Sequence, residues 1–257
     1  MLSELRAAAP WAPRPLASDD ATARVALVQT AATLLGGDRC ALAIRLGPGA
    51  RLELVETGAT VAHHARGGAP AQLRVTVALA AGARLTWLAR PLVLAAGCAV
   101  ARETTVALAD GAVALLRETV VLGRSGEPPG ALAATFRATH AGRPLLHERL
   151  DTAPPIAAPS RAAPRLPGAS RSRPAASALP SHPRAAPSPA AAPPLRSPLV
   201  AGDAATIDAV LLLGARGAEL PGSSQLAGPG TIWRALHARD NDPDGPALAV
   251  ARVWRNE

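Results

Sequence analysis

"LAAGARLTWL" at residues 79–88 sets a Gly-Ala pair between two apolar runs, and the chain repeats the device. It returns as "LGPGARLELV" at 46–55 and as "LADGAVALLR" at 108–117. Around these stretches apolar residues alternate with polar or small ones. "QLRVTVAL" puts Leu73, Val75, Val77 and Leu79 on one face and Arg74, Thr76 and Ala78 on the other. Period two marks a half-buried strand, and "RLELVE" and "RETTVAL" show it again. Gly49, Gly82 and Gly111 then fall at hairpin or corner positions, where a positive φ or a close backbone approach is expected. They lie 33 and 29 residues apart. One unit repeated at that spacing implies stacked layers that bury a shared core. The fold expected is mainly β, a layered, solenoid-like scaffold of many short strands, with an ordinary sandwich as the alternative.

The 257 residues allow one large domain or two small ones. Residues 1–23 read as a poorly ordered N-terminal segment and 24–152 as the layered β body. Residues 153–198 carry 13 of the 26 prolines and six arginines, with no Asp or Glu. Such a stretch cannot bury enough apolar surface to offset its ordering entropy, so it reads as a disordered insertion. Residues 199–257 are expected to pack on the β body. There, "DAATIDAVLLLGARG" (203–217), "TIWRALHARD" (231–240) and "ALAVARVWRNE" (247–257) each suit a strand or a helix. One or two short helices are expected near the C-terminus.

Every cationic side chain but histidine is arginine, and the formal charge is +8. Six of those charges belong to 153–198, which leaves the rest of the chain at +2. A nearly neutral body argues against a nucleic-acid face. Trp11, Trp87, Phe136, Trp233 and Trp254 are too scattered for a stacking platform. The N-terminus lacks a signal-peptide apolar region, and "PLVLAAGCAVA" (91–101) is short of the roughly 20 residues a membrane helix needs. A soluble, cytoplasmic protein without nucleic-acid or membrane partners is the expectation. Cys40 and Cys98 lie in apolar strand-like runs and read as core residues.

Reactive groups are few. Adjacent His63 and His64 point to opposite faces of any strand and read as a surface pair. His140 and His147 flank "AGRP" and could face one another across a hairpin, a weak candidate pair. Glu118 in "LLRETVVLGR" and Glu148 in "LLHERL" are carboxylates inside runs suited to core strands. Burying an ionised carboxylate is costly unless it is paired or binds a cation. Each therefore reads as paired with its neighbour, Arg117 or Arg149, or as solvent-facing, with a polar interior path as the competing reading. No G-x-S-x-G, Walker A, C-x-x-C or H-E-x-x-H occurs. A β-solenoid hydrolase would need a groove of several acids with aromatic sugar platforms, and neither is evident.

Four blocks, in order, resemble the urease accessory protein UreD (UreH) family. "TLLGGDRCALAIRLGPGARLELVETGAT" matches its early block, with a Gly-Gly-Asp turn and a Thr-x-Gly-Ala strand end. "LAAGARLTWLARPLVLAAGCAVARETTVAL" matches the next, "LLRETVVLGRSGEPPG" its Glu-x-x-x-Leu-Gly-Arg with a following Gly-Glu, and "GRPLLHERLD" the strand after that. The resemblance covers residues 24–152 well and 198–238 loosely. It implies a non-enzymatic β-rich scaffold that binds the urease apoprotein and UreF, with UreF recruiting the GTPase UreG, in an accessory complex able to dimerise. It also implies nickel delivery through a water-filled passage, with transient Ni²⁺ and no tightly bound cofactor. On that reading Glu118 and Glu148 line the passage. His147, standing where the family has Asp, joins them as a softer nickel ligand. The competing view is an interaction module whose basic Pro-rich segment binds an acidic partner.

Overall fold

The computed structural model describes residues 4–17, 21–152, 205–238 and 245–255. All of them belong to one compact unit, Met1–Pro154 with Arg196–Glu257; a second unit, Pro155–Leu195, lies outside the described residues. The expected insertion at 153–198 is likewise outside them.

The repeats seen in the sequence are coils. Each coil contributes one strand to each of two facing sheets. In chain order these are β2 (Ala23–Gln29) with β3 (Arg39–Leu46), then β4 (Arg51–Glu56) and β5 (Thr60–Ala62) with β6 (Ala71–Leu79). Next come β7 (Arg84–Leu88) and β8 (Leu92–Leu94) with β9 (Ala99–Leu108), and β10 (Val113–Leu122) with β11 (Ala131–His140). The first strand of each coil joins one sheet, ordered β2-β4-β7-β10, and the second joins the other, ordered β3-β6-β9-β11. All these neighbours are parallel. We refer to them as the first and second sheets.

Gly49, Gly82 and Gly111 stand at the corners between the sheets, with φ of 65°, 67° and 67°. Gly49 donates its N–H to the Ala81 carbonyl and Gly82 donates to that of Asp110, at 2.9 and 3.0 Å, so corner stacks on corner. These are corners and not hairpins. The fourth turn differs: Ala141 and Gly142, φ 48° and 73°, fold β12 (Arg143–Asp151) back antiparallel on β11.

Both ends of the first sheet and the far end of the second carry antiparallel strands. β1 (Trp11–Pro15) pairs with β2, inside the stretch 1–23 expected to be poorly ordered. Its prolines sit on an edge strand, where a missing N–H is tolerated. At the other end the first sheet continues through β13 (Thr206–Leu213), β15 (Gly230–His237) and β14 (Ser223–Gln225). Of the three stretches undecided in the sequence, two thus hold strands, at Thr206–Leu213 and Gly230–His237, and the third holds the one helix among the described residues, α1 (Pro246–Arg255). No helix among the described residues is long and apolar enough to cross a membrane.

The core is split by the first sheet. Between the sheets pack Leu52, Leu54, Leu85, Leu116, Val75, Val106 and Phe136, with Cys40 and Cys98 as buried free thiols. Burial pushes the Cys98 thiol up to about 11. On the outer face of the first sheet, Leu115, Val210, Leu212 and Trp233 are covered by Ala247, Val250, Ala251 and Trp254 of α1. That spacing of i, i+3, i+4, i+7 is one helical stripe. Pro at the first helical position and Arg252 and Arg255 in the last turn suit the two helix ends.

Candidate functional site: a polar line between the sheets

On β10 the inward row is Ala114, Leu116, Glu118, Val120 and Leu122, four of them core residues. Glu118 is the exception. Facing it from β9, Arg102 interrupts the inward row Val100, Thr104, Val106 and Leu108. The Arg102 Nη2 donates to Glu118 Oε1, an ion pair that joins the two sheets. Side-chain exposure is 11% for Arg102 and 26% for Glu118, so water screens the pair only in part. The Arg102 Nε is buried and has no hydrogen-bond acceptor among the described residues.

A third ionisable group joins this pair from β4. Glu56 continues the inward row of Leu52 and Leu54 at the strand's end. It accepts hydrogen bonds from Trp87 Nε1 at 3.0 Å and from the Arg90 N–H at 2.9 Å. Burial raises its pKa above the ordinary carboxylate range; these bonds and the charges of Arg102 and Arg90 oppose that without cancelling it. The first sheet is broken here. β4 and β5 are separated by 57–59, and β7 and β8 by 89–91, which includes Pro91. β10 runs unbroken past that gap, pairing Arg117 with Leu88 and Val120 with Leu92, so Glu118 and Thr119 stand opposite it. The break leaves a cavity of about 50 Å³ lined by Glu56, Trp87, Ala89, Arg102 and Glu118.

The line continues toward the closing end. Glu118 is opposite Ala209 of β13, and Ala209 is opposite Arg234 of β15. Arg234 reaches across to Glu148 of β12, an ion pair whose side chains are 47% and 37% exposed. Its polarity is reversed: the first pair has its carboxylate on the first sheet, the second on the other. Two strand spacings, about 10 Å, separate Glu118 from Arg234 along the sheet, with the small Ala209 between.

Glu118 and Glu148 therefore belong to one line, but neither pairs with its neighbouring arginine. Adjacent strand residues point to opposite faces. Arg117 lies on the outer face, where Asp208 accepts from its Nη2 at 2.9 Å and from Thr119 Oγ1 at 2.8 Å. Arg149 pairs with Asp151. For the same reason His147 faces away from the line, exposed on the outer side of the second sheet and opposite Arg137. His140 is opposite Arg143, so the two histidines do not face each other across the hairpin. His63 and His64 line a separate open cleft of about 470 Å³. There His64 Nδ1 accepts the Arg66 N–H at 2.8 Å. Among the described residues no three His, Cys, Asp or Glu side chains are grouped as metal ligands.

Glu56, Arg102 and Arg234 escaped the sequence reading. The first two carried a usable signal, since each falls on the inward phase of a strand whose other inward residues are mostly apolar. Arg234 carried none, because the strand character of 231–240 was itself undecided.

Fold and site define the class, a two-sheet parallel β-solenoid with antiparallel end strands and two ion pairs bridging its sheets. Comparison with known families gives the particular one. The model of the UreD urease accessory protein family matches residues 2–240. Urease accessory protein UreD 1 of Streptomyces griseus is 42% identical over 256 residues, covering 99% of this chain and 86% of the relative. UreD 2 of Saccharopolyspora erythraea is 37% identical over 146 residues, 57% of this chain and 52% of that protein. UreD 3 of S. griseus is 42% identical over 136 residues, 52% and 53% of the two chains. The chain belongs to the UreD family of urease accessory proteins.

Proposed function

We propose that this protein is a non-enzymatic scaffold of urease maturation. It binds the urease apoprotein together with UreF, through which UreG is recruited, and Ni²⁺ travels between its two sheets toward urease. Family membership supports the accessory role. The observation that carries the passage is the line Glu56, Arg102, Glu118, Arg234, Glu148, which leads from the apolar interior between the sheets to solvent at the closing end. Carboxylates and water exchange a borderline cation quickly, which suits transfer better than storage. His147 faces away from this line, so the passage is assigned to Glu118 and Glu148 without it.

The test is Glu118→Gln with Glu148→Gln, co-expressed with urease and the other accessory proteins. Both side chains retain solvent access, so the double variant is expected to fold. Nickel per urease and urease activity are expected to fall severalfold at equal UreD abundance. Urease of full nickel content from those cells would sink the passage while leaving the docking role standing.

A further inference from the structure

We infer that the outer face of the first sheet, beside the end of α1, is a docking groove for an acidic peptide segment of a partner protein, held by Arg51 and Arg84. This goes beyond the passage reading and does not depend on it. The repeated corner supplies the two arginines. In "GPGARLELV" and "AAGARLTWL" the glycine is followed by Ala-Arg, and each arginine opens its strand on the exposed side. Neighbouring coils set Arg51 beside Arg84 in register, and Arg84 beside Val113 of the third corner. Val113 packs into the core beneath α1. The cation is thus present where the face is open and replaced by an apolar residue where the helix covers it.

The groove has a volume of about 290 Å³ and reaches from these side chains to the last turn of α1. Four guanidiniums line it, those of Arg24, Arg51, Arg84 and Arg255, against the one carboxylate of Glu53. Glu53 accepts from both Arg24 and Arg255, at 3.0 and 3.2 Å. Arg51 and Arg84 are left exposed, with no ion-pair partner among the described residues. Like charges side by side on neighbouring strands are unfavourable, so this pair is stabilised by an added anion. A carboxylate seated between them accepts charge-assisted hydrogen bonds from both. The next outward row, Arg24, Glu53 and Thr86, lies about 6.6 Å along the strands, which is also the spacing of alternate side chains in an extended peptide. A second carboxylate at that spacing meets Arg24 and Arg255, two cations that share a single anion. A single-stranded nucleic acid would need a ring on which to stack its bases, and Trp254, the aromatic residue of the lining, is 2% exposed.

The test is fluorescence anisotropy of a labelled peptide alternating glutamate with glycine, titrated with the purified full chain. Wild-type binding is expected, weakening as salt is raised, with the glutamine counterpart of the peptide failing to bind. Arg51→Gln with Arg84→Gln should weaken binding by about tenfold or more, the loss of at least one charge-assisted hydrogen bond, and should melt no lower than wild type. Arg39→Gln with Arg45→Gln makes the same change of net charge on the outer face of the second sheet and should bind as wild type does. The groove is overturned if the Arg51, Arg84 variant binds like wild type, or if the Arg39, Arg45 variant loses as much. It is equally overturned if the glutamine peptide binds as well, or if the Arg51, Arg84 variant melts lower, since the arginines would then already serve the fold. Displacement of the peptide by inorganic phosphate at equal charge would make this a small-anion site instead, and tighter binding of an oligothymidylate would make it a nucleic-acid site. Nickel per urease in the Glu118→Gln, Glu148→Gln cells reads the passage alone, so either result stands without the other.

Discussion

Glu56 makes the interior sensitive to pH. Burial, its largest influence, holds its pKa above the ordinary carboxylate value of about 4.3. The folded chain therefore binds this proton more tightly than the unfolded chain does. The resulting stability is complete below the unfolded value and is lost as pH rises through the raised folded one. Glu127 acts in the opposite sense, lowered chiefly by its hydrogen bond from Arg124, but water reaches that pair and screens its effect. Urea unfolding between pH 4 and 7 should show wild-type stability declining relative to Glu56→Gln. Parallel curves for the two proteins would refute the assignment. The physical reason this residue was hard to read is plain: in "RLELVE" a terminal Glu looks like the solvent end of a strand. Only the facing sheet, distant in sequence, shows that it ends in a cavity.

At the scale of elements, the glycines divide into two kinds. Gly82 has φ 67°, and a methyl there would lie 4.0 Å from the nearest atoms of Gly49, ordinary contact. Gly82→Ala should therefore cost only the backbone strain of the left-handed region, about 1–2 kcal/mol. Gly214, φ 89°, follows β13, and a Cβ there would overlap the Ala112 carbonyl oxygen. Gly214→Ala should add overpacking to strain and cost about 3 kcal/mol or more. Chemical denaturation of the two variants tests this ordering, and equal losses would contradict it. The corners were legible because coil strands such as β4 and β6 are apolar on one face only. β13 and β15 were not. Their inward residues meet the core between the sheets and their outward residues meet α1, so both faces are apolar and the period-two signal disappears. "TIWRALH" then mimics a helix, although Ile232 and Trp233 serve two different cores.

For the whole molecule, the second core depends on the helix. Trp254 is 2% exposed, donates Nε1–H to the Ala218 carbonyl at 3.0 Å and presses its ring against Gly217. Trp254→Ala should cost about 3–5 kcal/mol and uncover Leu115, Val210, Leu212 and Trp233. Binding of a hydrophobic dye at temperatures where the wild type binds none would report it; an unchanged melting curve would argue that α1 is dispensable. The candidate site divides in the same way between what sequence reveals and what it conceals. Glu118 and Glu148 stand out as charges in apolar runs. Their partners Arg102 and Arg234 are chosen by stacking across 16 and 86 residues of chain, and no local pattern encodes which arginine lies opposite.

The antiparallel strands at the two ends of the stack also govern how large this protein can be. A parallel coil offers its open edge as a template for another like it, and nothing within a coil says how many there should be. Here the N-terminal edge of the first sheet is taken by β1, and the far edges by β12 and β13, each antiparallel to the coil strand it meets. Extent is thus written in the terminal strands, while the coils between them are interchangeable in number. A lineage could lengthen or shorten the interior route by whole coils of about thirty residues and keep the same two end pieces, much as a bookshelf is resized between fixed bookends.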